Sequence, residues 1–189
     1  AVSSALLFGC QSKDAKELAD LKARYEKETP MGKTELFIMK NPGGIEVRMS
    51  NYGARIISIL MPDKNGKYDD IVLGLKTIDE YFNENMFLGC IVGRYANRIA
   101  NGQFELDSVK YQLEQNEKTT TLHGGKKGFD KVLWNGVQDG NTITMTYTSA
   151  DLEQGFPGEV TVEQKFTLTP ENEIIMEFSA ESKQKTIIN

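Results

Sequence analysis

The stretch "VTVEQKFTLTPENEIIMEFSA", residues 160–180, carries the reading of the fold. Val160 and Val162 alternate with polar residues, and Phe166 and Leu168 resume the alternation after a polar break. "TPENE" supplies turn chemistry, and "IIMEFSA" follows as a second extended run. Successive side chains of a strand point to opposite faces, so this period predicts half-buried strands joined by a turn. Working outward, Ile143, Met145 and Tyr147 alternate in the same way, and "FELDSVKYQL" (104–113) reads as two strands around an Asp107-Ser108 turn. Further upstream, Ile45, Val47 and Met49 form one alternating set, and Ile57, Ile59 and Met61 form another. "PDKNGKYDD" (62–70) separates the latter from the apolar run "IVLGL", and Asn65-Gly66 is a strong hairpin dipeptide. Many short strands with frequent turns predict an all-β, antiparallel sandwich or barrel.

Bulk properties narrow the function classes. A chain of 189 residues predicts one domain, with room for a tail and a substantial core. Hydrophobic residues make up 39% and charged residues 26%, an ordinary balance for a soluble protein. The net charge of −5 argues against a nucleic-acid partner, which favours a basic surface. No apolar run approaches the roughly 18 residues that a membrane-spanning helix requires.

Both ends stand apart. Residues 1–10 read as a partial secretion signal. Leu7-Phe8-Gly9-Cys10 resembles a lipobox, in which Cys10 is lipidated; Phe8 is bulky for its place and the basic leading region is absent. That reading predicts a lipid-anchored envelope protein, periplasmic or tied to the outer membrane, with a cytoplasmic location as the alternative. Residues 11–33 read as a charged tether. Leu18, Leu21 and Tyr25 have the spacing of a short solvated helix that Pro30 and Gly32 end. Cys90, inside "MFLGCIVG", reads as a small buried residue, and the two cysteines suggest neither a disulfide nor a metal site. The folded domain is expected over 34–189. Its final "ESKQKTIIN" stops directly after an apolar run, which predicts a sandwich incomplete at the C-terminus and a chain that is part of a longer protein.

Three stretches carry candidate chemistry. "GRYANRIANGQF" (93–104) crowds two arginines and two asparagines into one segment, a donor and acceptor set suited to several hydroxyl groups. "TTTLHGGKKGFDKVLW" (119–134) holds His123, the single histidine, followed by Gly124 and Gly125, where the backbone can turn sharply. "DLEQGFPGEV" (151–160) presents Phe156 on a loop, where an exposed ring could cover the apolar face of a sugar. Each alone also has an ordinary reading, as a solvated turn, a structural histidine or a plain loop.

Together, in this order and separation, they resemble the aldose 1-epimerase (galactose mutarotase) family, as does the earlier "NYGARIISILMPDKNGKYDDIVLGL" (51–75). The resemblance covers most of 34–189. It implies an antiparallel β-sandwich of the galactose mutarotase type and interconversion of the α and β anomers of aldoses such as galactose or glucose. It implies a monosaccharide partner and neither metal nor organic cofactor, because proton transfer alone opens the ring. Asn97 and Arg98 match positions that hydrogen-bond sugar hydroxyls, and His123 matches an active-site histidine near the ring oxygen. Arg94 is expected to be structural, and Phe129 and Trp134 are expected to pack beneath the histidine loop. The family's general acid is a second histidine after a "TIINPTN"-like stretch, and its general base is a glutamate farther on. A substrate-binding aspartate lies between them. The chain ends at "TIIN", so the resemblance implies a fragment that is inactive alone. A non-catalytic carbohydrate-binding protein on this fold is one alternative. A hexose-phosphate 1-epimerase using Lys126-Lys127 is another.

Overall fold

The computed structural model describes residues 13–189. Helix α1 (Lys13–Tyr25) carries Lys22 and Arg24 in its last turn, where they suit the negative end of the helix dipole. The expected tether does not run free. Leu21 and Tyr25 are buried against Tyr52, Ile57, Ile78 and Tyr81, and the Tyr25 hydroxyl donates to Leu75 O at 2.8 Å. Leu18, on the same stripe, stays 42% exposed. A tight hairpin of β1 (Lys27–Thr29) and β2 (Gly32–Thr34) then brings Pro30 to its turn.

The first large sheet has the order β3 (Leu36–Lys40), β4 (Glu46–Ser50), β5 (Arg55–Pro62), β6 (Tyr68–Asp70), all antiparallel. Asn65-Gly66 makes the β5–β6 turn, as its dipeptide predicts. The run "IVLGL" forms no strand, and Ile71 and Leu73 are exposed at 61% and 80%. A bulge corrects the expected phase of β5. Pairing runs Arg48 with Ser58 and then Met49 with Ile56, so Ile57 is the extra residue. Ile57 therefore joins the cluster under α1, while Ile56, Ile59 and Met61 face the main core.

A short helix, α2 (Ile78–Asn83), starts at Thr77, whose hydroxyl accepts the Glu80 N–H. Two small ribbons follow. One pairs β7 (Arg98–Ile99) with β10 (Thr121–Leu122), and the other pairs β8 (Gln103–Leu106) with β9 (Val109–Gln112). Asp107 and Ser108 take positive φ values of 50° and 63°, as a two-residue hairpin turn of this hand requires.

The second large sheet is β11 (Asn135–Asp139), β12 (Thr142–Ser149), β13 (Val160–Leu168), β14 (Ile174–Ser182), again antiparallel. The polar break expected inside β13 is absent. Gln164 continues the inward set Val160, Val162, Phe166 and Leu168, fully buried, and its Oε1 has no partner. Both sheets feed one core, with Met39, Val47 and Met49 from the first and Ile143, Met145, Val162 and Phe166 from the second. Each such side chain contributes roughly 1.5–3 kcal/mol on burial. The inward face does not stay covered. Phe178 pairs with Gln164 and Met176 with Phe166, yet they are 63% and 50% exposed.

Candidate active site

The segments "GRYANR" and "LHGG" meet backbone to backbone. A Cβ on Gly124, where φ is +89°, would lie 1.7 Å from Gly93 O, so only glycine permits the approach. A Cβ on Gly93 would strike the Phe129 ring at 2.3 Å. The β7–β10 ladder pairs Leu122 with Arg98 and carries the chains into register. Just beyond it, the His123 N–H donates to Asn97 O at 2.9 Å, and the Asn97 N–H donates to His123 Nδ1 at 3.0 Å. Asn97 and His123 both take positive φ, 62° and 50°, a conformation that a side chain other than glycine pays to adopt. Two such residues locked by reciprocal hydrogen bonds mark a site held in place.

That pair of bonds decides what the imidazole offers. Nδ1 accepts a hydrogen bond, so in the neutral ring the proton is on Nε2, which is left as a donor. The Phe87 ring stands edge-on to the imidazole with centroids 4.6 Å apart. Burial, followed by the positive charge of Arg98, lowers the His123 pKa, while Glu117 opposes that shift. The ring is therefore kept neutral into more acidic solution than a free imidazole.

Arg98 reaches across the same face. Its Nε and Nη2 grip both carboxylate oxygens of Glu117 at 2.5 and 2.7 Å, and Nη1 donates to Asn97 Oδ1 at 3.1 Å. The grip, chiefly the hydrogen bond itself, lowers the Glu117 pKa and raises that of Arg98. A bidentate fork fixes the guanidinium plane, with N–H groups left over for a further acceptor. A cleft of about 420 Å³ opens beside these groups, lined by Phe87, Glu117, Leu122, Lys126 and Lys131 among others.

The structure thus brings together Asn97, Arg98 and His123. Glu117 and Phe87 complete the cluster and carried no signal in the sequence beyond their nearness to "LHGG" and "GCIVGR". Arg94 is structural as expected. It is buried and donates to the carbonyls of Pro157, Gly158, Ser149 and Ala150 and to the Ser149 hydroxyl. Phe129 and Trp134 pack beneath the histidine loop in T-shaped contact, and the Trp134 indole N–H donates to Phe129 O. Phe156 corrects its expectation. It is 1% exposed, stacked on Phe104 under the Arg94 guanidinium, and has no face for a sugar. Lys126 pairs with Glu114 at 2.7 Å. Cys90 is partly buried, and burial pushes its thiol up to about 12. Cys10 lies outside the described residues. Among the described residues no cluster of three or more histidine, cysteine or acidic side chains has metal-binding geometry.

The profile of the aldose 1-epimerase family matches residues 35–189. Pig galactose mutarotase is 38% identical over 145 residues, 77% of this chain and 42% of its own. Haemophilus influenzae aldose 1-epimerase is 38% identical over 156 residues, 82% of this chain and 45% of its own. In solved structures, an aldose epimerase homologue from C. elegans superposes with a TM-score of 0.79 at 29% identity, covering 82% of this chain and 48% of that one. Galactose 1-epimerase from Lactobacillus acidophilus gives 0.76 at 27%, covering 87% and 49%. The chain spans less than half the length of these relatives. The antiparallel sheets are of the same type, and the chain belongs to the aldose 1-epimerase family.

Proposed function

We propose that these residues form the sugar-holding part of an aldose 1-epimerase acting on aldoses such as galactose or glucose. The observation that carries the reading is the Asn97–His123 lock, which leaves an imidazole N–H as a fixed donor beside the Arg98 guanidinium. In the reaction a base takes the proton of the anomeric hydroxyl, the bond from C1 to the ring oxygen breaks, and an acid protonates that oxygen. The aldehyde rotates about C1–C2 and the ring closes on the other face, with both protons returned. His123 Nε2–H stabilises charge gathering on the ring oxygen. Asn97 and Arg98 hold the hydroxyls against which the ring turns.

The acid and base are assigned to the part of the family's length that this chain does not span, so the chain alone is expected to be inactive. Two features support this. The Asn189 N–H donates to Arg94 O and Asn189 O accepts the Ala96 N–H, both at 3.1 Å, so the "TIIN" stretch lies beside Asn97. A residue following it would enter at the site. The uncovered apolar face of β14 is also the kind of surface that further chain covers.

Polarimetry on freshly dissolved α-D-galactose and α-D-glucose tests the reading, with this chain, a version extended past Asn189, and buffer. Only the extended form should hasten the approach to equilibrium rotation. Activity in the short chain would put the acid and base within it. Sugar binding without conversion in both would make the protein a carbohydrate-binding member of the fold. Anchoring in the cell envelope through Cys10 belongs to the same proposal. A Cys10→Ser variant of the natural gene product should lose incorporation of labelled fatty acid and leave the membrane fraction.

A further inference from the structure

Beneath the histidine turn lies a carboxyl group that the sugar-holding role does not use. Asp130 is 2% exposed, and its Oδ1 has no hydrogen-bond partner. Its backbone is fixed, because Asp130 O accepts from Arg55 Nη2 at 3.2 Å and approaches Gly53, where a Cβ would meet it at 2.6 Å. Oδ1 borders the same small space as two backbone carbonyl oxygens. A methyl group placed on Gly128 would meet His123 O at 2.5 Å, Asp130 Oδ1 at 2.9 Å and Gly93 O at 2.9 Å. Three oxygens thus line the space beside Gly128, two of them from the peptide groups that carry the site. An ionised carboxylate there can only accept, whereas a protonated one donates.

We propose that Asp130 is a positioning residue for His123, whose protonated carboxyl donates into the carbonyl cluster of Gly93 and His123 and whose ionisation loosens the turn. The proposal rests on the reading of His123 as a site residue. The surroundings favour the neutral form. Burial pushes the carboxyl up to about 6, against the opposing pull of Lys131, of a hydrogen bond from its own backbone N–H and of Arg55, with Glu84 assisting. Arg55 is already matched by Glu84 at 2.9 Å, and the Lys131 ammonium is turned to Asn85 Oδ1. The neighbouring Cys90 thiol and Tyr52 phenol are themselves held neutral, each chiefly by burial.

NMR on the chain itself tests this across pH 4–8. Three signals are followed: the Asp130 carboxyl carbon, and the exchange protection of the His123 and Asn97 amides. Those amides donate to Asn97 O and to the His123 ring, so the first reports the turn and the second the imidazole. The carboxyl carbon should titrate well above the ordinary aspartate range. Protection of the His123 amide should fall several-fold as pH rises through that midpoint. Loss of protection at Asn97 should run the opposite way, on acidification. Asp130→Asn, which retains a donor, should hold the low-pH protection at His123 throughout. A carboxyl carbon titrating near 4, unchanged His123 protection across the midpoint, or an Asp130→Asn variant that tracks the wild type would each overturn the proposal. The carbon and amide data decide even if the variant does not fold. Sugar turnover enters none of these readouts, so their failure leaves the epimerase reading standing, and the reverse also holds.

Discussion

Arg94 and Arg98 share one short segment and one side-chain chemistry, and they do opposite things. Arg94 is 2% exposed, and its donors end on carbonyls and hydroxyls of the 149–158 loop and on Thr186. Burial lowers its pKa, the expected cost of a cation kept among neutral acceptors. Arg98 is half exposed, braced by Glu117, and keeps donors in reserve. The first arginine spends its fork on the fold, and the second is held ready for something outside it. The difference comes from what each position faces, Arg94 in the irregular segment before β7 and Arg98 at the start of β7.

The comparison can be broken by substitution. Arg94→Ala takes the donor from four carbonyls and two hydroxyls and should cost about 3–5 kcal/mol, read by urea unfolding. A loss below about 1 kcal/mol would show that the loop repacks without it. Asp130 comes next. Its pKa is raised from 3.8 to about 6, so the neutral form is the stabilising one. That contribution is complete below the ordinary aspartate value and is lost as pH rises through about 6. The gap is worth up to about 3 kcal/mol. Asp130→Asn should therefore raise the melting temperature at pH 7 and leave it nearly unchanged at pH 4. A lower melting temperature at pH 7 would reverse the assignment.

Arg98→Ala should sharpen the contrast from the other side. It should leave the unfolding midpoint close to wild type, while raising the sugar concentration needed for half-saturation of an extended protein roughly tenfold or more. An unchanged saturation curve would remove Arg98 from the site. His123→Ala in the same extended protein should cut turnover with the fold intact, and unchanged turnover would remove His123 likewise. The smallest effect is expected at Phe178. Because it is 63% exposed, Phe178→Lys should change stability by no more than about 0.5 kcal/mol while reducing self-association in sedimentation.

Much of this was legible in the sequence, for reasons that can be named. Asn97, Arg98 and His123 are polar residues in segments whose glycines permit one close backbone approach, so motif and geometry coincide. Strand alternation in β4 and β12 was equally plain. Failures came where a residue's local pattern hid its tertiary partner. Gln164 read as an interruption because buried amides are rare, yet its place in the period kept it inward. Phe156 sat among loop residues, and only the distant Phe104 and Arg94 reveal that it is core. Ile57 reads in phase with Ile59 and Met61 because a bulge leaves no mark in a run of apolar residues. Glu117 was silent because an ion pair between loops has no period.

The single tryptophan has a use of its own. Trp134 is sealed from solvent beneath the histidine loop, with Phe129 and Tyr147 against its ring. Its emission should lie at the blue end of the indole range and shift red as soon as that loop loosens. A sugar analogue, a change of pH or a substitution in the loop can therefore be followed by indole fluorescence, with no label attached and one tryptophan as the source.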